Sequence, residues 1–287
     1  MRNLVATIML LAAIVPAAQA GKTPPVAVTS CETVISNPGS YFLDNDLYCG
    51  SDAYGVAIIA DNVDFDLKTH FIYNNNQTYV GAGIGTGVPP FQPNNGCVAV
   101  SGLHIHGGAV AGFSMGIAIC SPPGKNVSSN NLVQHVGLVD NITGIAIYGT
   151  ATNNQIEFNS VSKNSTGIYL GDTTSGNDIG SNGIISEAVG VVIDSSSNAN
   201  NVHGNTITQM TGNGLSIKGN NNTIQGNFSI GNGGAGFEAF ALSTGNKITG
   251  NFAQYNHVDA LDDNGFCGIN TWSVNFLGGG GNPACIQ

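Results

Sequence analysis

Residues 144–193 read GIAIYGTATNNQIEFNSVSKNSTGIYLGDTTSGNDIGSNGIISEAVGVVI, and two short patterns in this stretch return every 23 residues. The first is a glycine followed by an aliphatic, a variable and a second aliphatic residue. It recurs as Gly116-Ile117-Ala118-Ile119, Gly144-Ile145-Ala146-Ile147, Gly167-Ile168-Tyr169-Leu170, Gly190-Val191-Val192-Ile193, Gly214-Leu215-Ser216-Ile217 and Gly236-Phe237-Glu238-Ala239. The second is an asparagine two residues before an aliphatic residue, as in Asn154-Gln155-Ile156, Asn177-Asp178-Ile179, Asn200-Asn201-Val202, Asn222-Thr223-Ile224 and Asn246-Lys247-Ile248. Two patterns with one period indicate a repeat architecture.

The local pattern inside each repeat is typical of strands. Apolar and polar residues alternate over three to five positions, and the Gly and Asn clusters between them favour turns with positive φ. One coil of about 23 residues cannot bury its apolar side alone, so successive coils must stack at the strand spacing of about 4.8 Å. The aliphatic residues then form interior rows. The asparagines should form amide ladders, because each carboxamide both donates and accepts hydrogen bonds.

The flanks of the repeat suggest how the stack begins and ends. Residues 61–67 alternate strictly and place Val63, Phe65 and Leu67 inward. Residues 74–96 are predicted to be a long excursion from an early coil. We expect one domain over residues 21–287, with regular coils over about 55–262 and a C-terminal cap over about 263–287 that covers the open stack.

The N-terminus and the cysteines predict an exported protein. Arg2, the apolar run from Leu4 to Val15 and the sequence Ala18-Gln19-Ala20 have the layout of a secretory signal peptide, so residues 1–20 are expected to be removed. The predicted location is extracellular or periplasmic, without a membrane span. An even number of cysteines in an exported chain favours disulfides. Many pairings are open, and the simplest set by clustering is Cys31 with Cys49, Cys97 with Cys120, and Cys267 with Cys285.

The composition argues against several partners. Charged residues make up 8% of the chain, the formal net charge is −10, and Arg2 is the sole arginine. Nucleic acid is excluded as a partner, since its binding depends on Lys and Arg at the phosphates. Polyuronates are disfavoured, because arginine is the side chain that pairs with carboxylates through two hydrogen bonds. No cofactor is predicted, and the oligomeric state is left open.

The repeats resemble a known group of proteins. The pattern Asn-Asn-x-Ile-x-x-Asn-x-Ile followed by Gly-Ile-x-Leu, over about residues 55–262, resembles the carbohydrate-binding and sugar-hydrolysis repeats of the pectate-lyase-like superfamily. The resemblance implies an all-β protein: a single right-handed parallel β-helix of about nine or ten coils with disulfide-stabilised ends. It implies no single activity, because the superfamily includes lyases, hydrolases, epimerases, adhesins and a periplasmic factor for copper-enzyme maturation.

One outward sheet carries the candidate glycan site. Aligning the Gly-Ile-x-Leu strands places their outward residues in two columns: Ala146, Tyr169, Val192, Ser216, Glu238 and Tyr148, Gly171, Asp194, Lys218, Phe240. Aromatic rings stack on sugar faces and carboxylates accept hydroxyl protons, so a carbohydrate-binding face is predicted from Tyr148, Tyr169, Asp194, Lys218 and Glu238. Asp194 and Glu238 lie two coils apart, roughly 9 to 10 Å between backbones, and are the candidate catalytic acid and base.

Three functions remain open at this point. The preferred one is an exported β-helix that binds polysaccharide or a cell-surface glycan along this sheet. The second is a structural or adhesive solenoid whose outer face has no ligand. The third is a polysaccharide lyase or glycoside hydrolase acting on a neutral glycan. Whether the protein is an enzyme is uncertain, because only one of the polygalacturonase motifs, Asp262-Asp263, is present. Those two residues are expected to form hydrogen bonds with open backbone groups near the cap.

His104 and His106 form a separate candidate. They stand two residues apart on a strand whose Leu103 and Ile105 should point inward, so both imidazoles should face outward together. This arrangement offers two ligands for a metal, and no third ligand is visible in the sequence. His203 and His257 are isolated within the repeat and are interpreted as structural.

Overall fold

The structure is a computed structural model that describes residues 24–50, 54–74, 81–92, 95–124, 126–265, 268–282 and 286. Strands connected by turns build three long parallel sheets, and the chain visits sheet 1, sheet 2 and sheet 3 in that order in each of about ten coils. The protein is therefore the predicted right-handed parallel β-helix. Within the described residues no helix is long and apolar enough to cross a bilayer. The predicted signal peptide and the pair Cys267 and Cys285 lie outside the described residues.

The sheets consist mostly of three- to six-residue strands. Sheet 1 contains Val26–Val28, Gly39–Leu43, Val63–Asp66, His104–His106, Leu132–Gln134, Gln155–Glu157, Asp178–Gly180, Asn201–His203, Thr223–Gln225, Lys247–Thr249 and Thr271–Ser273. Sheet 2 contains Leu47–Cys49, Phe71–Asn74, Ala109–Ala111, Gly137–Val139, Ser160–Ser162, Gly183–Ile185, Thr206–Thr208, Phe228–Ile230, Phe252–Gln254 and Phe276–Leu277. Sheet 3 contains Thr33–Ile35, Val56–Ile58, Ala82–Gln92, Met115–Cys120, Thr143–Tyr148, Thr166–Leu170, Val189–Ile193, Leu215–Ile217, Ala235–Ala239, Val258–Asp262 and Gly281–Asn282, and Asn95–Cys97 pairs antiparallel with Ala82–Gln92.

Aliphatic rows fill the interior. Consecutive coils pair in register, for example Ile145 with Ile168 and Ile168 with Val191, and these side chains are fully buried. The inward positions predicted for Val63, Phe65 and Leu67 are confirmed, since all three are buried. A row in register is what allows apolar side chains from many coils to share one continuous core.

The predicted amide ladders are present at two turns of every regular coil. One ladder precedes sheet 1 and contains Asn131, Asn154, Asn177, Asn200, Asn222, Asn246 and Asn270. The other lies between sheets 1 and 2 and contains Asn159, Asn182, Asn205, Asn227, Asn251 and Asn275. In each step the side-chain oxygen of one asparagine accepts from the backbone N–H and the side-chain amide of the asparagine one coil earlier. The ladders thus satisfy buried turn groups that strands leave open.

A third ladder, between sheets 2 and 3, is interrupted by a carboxyl group. Asn141 Nδ2 donates to Asn164 Oδ1, and Asn164 Nδ2 donates to Glu187 Oε1, each at 3.1 Å. Glu187 Oε2 is buried and has no hydrogen-bond partner among the described residues. Burial raises the pKa of Glu187 to about 7, although the bonds from Asn164 act in the opposite direction. Folding therefore favours the protonated form of this side chain.

The long excursion predicted over residues 74–96 is wrong in part, because it includes a rung of sheet 3. Within the predicted range 74–96, residues 82–86 are a regular rung of sheet 3, with Ile84 paired to Val56 and to Ile117. The chain then leaves the sheet in a hairpin, in which the end of the strand Ala82–Gln92 pairs with the return strand Asn95–Cys97. A disulfide from Cys97 to Cys120 attaches this hairpin to sheet 3, and Cys31–Cys49 joins two early coils. Two of the three predicted disulfides are thereby confirmed, and they indicate an oxidising compartment.

Candidate functional site

The outer face of sheet 3 carries the row that the sequence predicted. Ala146 pairs with Tyr169, Tyr169 with Val192, Val192 with Ser216, and Ser216 with Glu238. The residues between them point inward, because side chains alternate across a strand. Side chains from five successive coils therefore lie side by side on one face.

The hairpin covers the first part of this face. Phe91, near the end of its outgoing strand, packs in a small outer cluster with Ala118, Ala146 and Tyr148. Tyr148 faces outward as predicted, but it is only 7% exposed, and its hydroxyl donates to the carbonyl oxygen of Phe91. Burial, with a smaller contribution from Asp172, raises the pKa of Tyr148 well above its usual range. The sequence predicted an excursion in this region, but neither its hairpin form nor its position over sheet 3.

A pocket of about 310 Å³ lies where the hairpin meets the open face. Its walls combine aromatic and aliphatic groups with a few polar ones: Phe91, Gln92, Ser114, Met115, Ile142, Thr143, Ala146, Tyr148, Tyr169 and Asp172. A concave, mostly apolar cavity with a small number of polar groups is the usual form of a small-ligand site.

Tyr169 stands at the boundary between the pocket and the open row. Its ring is half-buried, and its hydroxyl lies 3.3 Å from Asp194 Oδ2 and donates to it. Burial raises the pKa of Tyr169 to about 12, with further contributions from Asp194 and Asp172. The phenol therefore remains a hydrogen-bond donor at neutral pH, and Asp194 holds the ring in position.

The two candidate catalytic carboxylates have different surroundings. Asp194 accepts from Tyr169, whereas Glu238 accepts from Asn213 Nδ2. Burial raises the pKa of Glu238, and the nearby Asp263 carboxylate raises it further. Lys218 is exposed, and its Nζ lies 5.2 Å from the centre of the Phe240 ring. The carboxylate that acts on Glu238 is thus Asp263, which the sequence analysis had assigned to the cap.

Asp262 behaves as expected of a residue near the end of the stack. Its Oδ2 accepts from Trp272 Nε1 at 2.9 Å and from Asn270 Nδ2 at 3.2 Å. Its Oδ1 accepts from the backbone and side chain of Asn264. These bonds connect the last regular coil to the segment that follows, so Asp262 has a structural role.

A second cluster lies on the outer face of sheet 1. The strand His104–His106 pairs with Val63–Asp66 so that His104 is opposite Asp64 and His106 is opposite Asp66. Leu103 and Ile105 are buried as predicted, and both imidazoles point outward with their centres 4.3 Å apart. Burial and the neighbouring His106 lower the pKa of His104, against the attraction of Asp64. Among the described residues, Asp64, His104 and His106 form the one group of three side chains that could hold a metal ion.

Sheet 2 presents an aromatic stack that the sequence analysis missed. Phe228, Phe252 and Phe276 follow one another on its outer face, with ring centres 5.8 and 4.9 Å apart. The first and last rings are 47% and 58% exposed. Their spacing of 24 residues is visible in the sequence, and it could have been found by aligning the sheet 2 strands as well as those of sheet 3.

Solved structures with the same architecture include proteins with several activities. The periplasmic alginate epimerase AlgG shares 16% identity with a TM-score of 0.62, over 83% of this chain and 64% of its own. The Dettilon tailspike protein shares 15% identity with a TM-score of 0.61, over 89% of this chain and 52% of its own. The A-module of the Azotobacter vinelandii mannuronan C-5 epimerase AlgE4 shares 14% identity with a TM-score of 0.58, over 83% of this chain and 67% of its own. At these identities the likeness demonstrates the fold alone.

Comparison at the level of sequence gives the family. No curated protein resembles the chain closely enough to count as a match. A family model with the description "Periplasmic copper-binding protein (NosD)" matches residues 100–282, which is more than half of the chain and most of the regular coils. On the strength of that match, the chain belongs to the NosD family of β-helix proteins.

Proposed function

We propose that this protein is an exported, periplasmic glycan-binding solenoid. It holds a polysaccharide along the outer face of sheet 3, with one sugar ring in the pocket beside the hairpin. The observation that carries this proposal is the pocket itself, in which the Tyr169 ring and the Asp172 carboxylate meet at the start of an open row. An aromatic ring for the sugar face, beside a carboxylate for its hydroxyls, is the chemistry that carbohydrate recognition needs.

The direction of the row suits an extended ligand. Beyond Tyr169 the outward positions are Val192, Ser216 and Glu238, one from each successive coil. Their spacing is the interstrand distance of about 4.8 Å, so a chain of sugars laid across the strands passes one of these positions at every coil. Val192 and Glu238 are partly exposed, whereas Ser216 is buried. The structural neighbours support an extended polysaccharide ligand in general, since two of them are epimerases named for alginate and for mannuronan. They do not support the choice of glycan class, because alginate is a polyuronate.

The charge of the face selects the glycan class. Asp172, Asp194, Glu238 and Asp263 all belong to this side, and Lys218 is the cation set among them. A polyuronate would bring further carboxylates against these groups, and like charges repel strongly when partly desolvated. We therefore expect a neutral glycan.

Titration calorimetry with a set of oligosaccharides tests the proposal. Cellohexaose, maltohexaose and hexa-N-acetylchitohexaose represent neutral ligands, and an alginate hexamer represents the polyuronates. At least one neutral ligand should bind, and Tyr169→Ala should weaken its binding about 2- to 13-fold, the value of one aromatic contact of about 0.5 to 1.5 kcal/mol.

Phe252→Ala is the matched control. It removes an aromatic ring from the outer face of sheet 2, and it should leave glycan affinity unchanged. If Phe252→Ala weakens binding and Tyr169→Ala does not, the glycan occupies sheet 2 and the proposal is wrong. If no oligosaccharide binds the intact protein, the structural or adhesive solenoid is the better description.

A catalytic role is the second candidate, favoured by the raised pKa of Glu238. A partly buried carboxyl whose pKa is raised beside a second carboxylate has the character of a general acid. The partner is Asp194, as predicted from the sequence, or Asp263, whose carboxylate contributes to the raised pKa of Glu238. Reducing ends and the absorbance of unsaturated products should be followed with the same glycans. Turnover that exceeds that of the double variant Asp194→Ala, Glu238→Ala would establish this role.

A further inference from the structure

We propose that Asp64, His104 and His106 bind a divalent transition-metal ion on the outer face of sheet 1, with Cu(II) preferred. This site is separate from the glycan face, which lies on sheet 3. The three residues come from two adjacent coils, and they meet because the strands Val63–Asp66 and His104–His106 pair in register.

The three donor atoms are already arranged around a shared point. His104 Nδ1 lies 3.0 Å from Asp64 Oδ1, and His106 Nε2 lies 3.2 Å from the same oxygen. All three donor atoms lie within 4.8 Å of one another. A metal with bonds of about 2.0 to 2.1 Å has neighbouring ligands about 2.9 to 3.4 Å apart, so two of the three edges already match. The third edge, between the two imidazole nitrogens, is no longer than 4.8 Å.

Further side chains hold the two imidazoles from behind. Asp66 Oδ1 lies 3.6 Å from His106 Nδ1, the ring nitrogen that does not face Asp64. The Gln134 amide lies 3.0 Å from His104 Nε2, which is likewise the nitrogen away from Asp64. Metal-binding histidines are commonly oriented in this way by a carboxylate or amide on the second nitrogen. A histidine that merely forms one surface ion pair needs no such partner.

A pocket adjoins the carboxylate side of the site. Asp64 and Asp66 line a cavity of about 330 Å³ together with Ser40, Phe42 and Lys68. Lys68 Nζ lies over the Phe42 ring, 3.6 Å from its centre. His104 and His106 are not among the residues that line this cavity, so it borders the site at its two carboxylates. Three protein ligands leave further coordination positions for water or for a small exogenous ligand.

The donor set determines which metals fit. Two imidazole nitrogens with one carboxylate oxygen suit Cu(II), Zn(II) or Ni(II), whereas Mg²⁺ and Ca²⁺ prefer oxygen ligands throughout. Among the divalent ions Cu(II) binds such sites most tightly. The residues therefore fit the copper of the family description. The family match begins at residue 100, so it includes both histidines and excludes Asp64, and the assignment of this third ligand rests on the structure.

Metal titration of the untagged protein tests this inference without any measurement of enzyme activity. Calorimetry with CuCl2 and with ZnSO4 should give one site per chain, tighter for copper. The electron paramagnetic resonance spectrum of the copper-loaded protein should show coupling to two imidazole nitrogens. Replacing a direct ligand, in His106→Gln or Asp64→Asn, should weaken copper binding more than about 100-fold, and Asp66→Asn about 10-fold, in line with its supporting role.

His203→Gln is the matched control. His203 lies on the same face of sheet 1 and pairs with Asp178 at 3.1 Å, but its neighbours along the column are Gly180 and Gln225 instead of a second histidine. Copper affinity should be unchanged in this variant. Circular dichroism confirms that each variant is folded. The inference is overturned if the double variant His104→Gln, His106→Gln still binds one copper with the original affinity, or if His203→Gln weakens binding equally.

Discussion

Replacing one asparagine of the ladder before sheet 1 should destabilise the whole solenoid. Asn177 is fully buried. Its Oδ1 accepts from the backbone N–H and Nδ2 of Asn154 at 3.0 and 2.9 Å, and its Nδ2 donates to Asn200 Oδ1 at 3.0 Å and to the Ala151 carbonyl at 3.1 Å. Asn177→Ala removes all four hydrogen bonds at once.

The magnitude follows from these four bonds. A typical intramolecular hydrogen bond contributes about 1 kcal/mol net, and a buried group left without a partner costs about 1 to 3 kcal/mol. The backbone N–H of Asn154 becomes such a group, because Asn177 Oδ1 is its acceptor in the ladder. The other partners keep at least one further bond or can be reached by water at the new cavity. We therefore expect Asn177→Ala to lower the free energy of unfolding by about 4 to 6 kcal/mol.

Guanidinium unfolding followed by circular dichroism measures this change, and two more variants test its cause. Asn126 is exposed and lies outside the strands, so Asn126→Ala should change the free energy of unfolding by less than about 0.5 kcal/mol. Asn177→Asp keeps the acceptor oxygen and the shape while it replaces the donating amide with a buried carboxylate, and at pH 7 it should be as harmful as Ala. If either Asn177 variant lowers the free energy of unfolding by less than about 1 kcal/mol, the ladder does not stabilise the fold through hydrogen bonding and the reasoning fails.

Three further changes test other features of the stack. Because the folded-state pKa of Glu187 is about 7 against an ordinary 4.5, the free energy of unfolding should fall as pH rises between these values. Glu187→Gln should abolish this loss. The variant should be more stable than the original protein by about 2 to 3 kcal/mol at pH 8, with little difference at pH 4. A thermal denaturation series against pH that runs parallel for both proteins would contradict it. The double variant Cys97→Ser, Cys120→Ser removes the covalent link between the hairpin and sheet 3, and calorimetry should show a free energy of unfolding about 3 kcal/mol lower. Glycan binding should weaken, while the copper stoichiometry stays the same. In Gly167→Ala the new Cβ would lie 2.5 Å from a backbone oxygen of the next coil, which should cost about 1 to 3 kcal/mol in chemical denaturation, whereas Gly183→Ala meets no atom within 4 Å and should be neutral.

Most of the fold could be predicted from the sequence because the solenoid repeats one local solution. The glycine that opens each Gly-Ile-x-Leu strand illustrates this, since a Cβ at Gly144 would lie 2.6 Å from the carbonyl oxygen of Gly167 in the next coil. Close stacking of coils thus requires glycine at that point, and the requirement recurs with the period. The amide ladders recur for the same reason, as each asparagine bonds its own copy one coil away.

The glycan face was predicted less completely, because the hairpin does not repeat. The register correctly gave the outward row from Ala146 to Glu238. It contained no information on where a non-repeating segment would pack, so the burial of Tyr148 beneath Phe91 and the pocket beside it could not be derived. The influence of Asp263 on the pKa of Glu238 could not be derived either, since it depends on how the chain leaves the last regular strand.

The same break in the repeat explains why the third metal ligand was missed. Within the regular coils a side chain meets another about 23 residues away, and counting that period from His104 leads to residue 81, where no ligand stands. Asp64 is 40 residues before His104, because the chain between them contains the hairpin. The strand that holds Asp64 was predicted with the correct inward face, yet its neighbour could not be counted across an insertion of unknown length. Sites on a β-helix whose residues lie on both sides of an insertion therefore cannot be found by counting the repeat period. They have to be sought where the strand before a long excursion pairs with the strand after it.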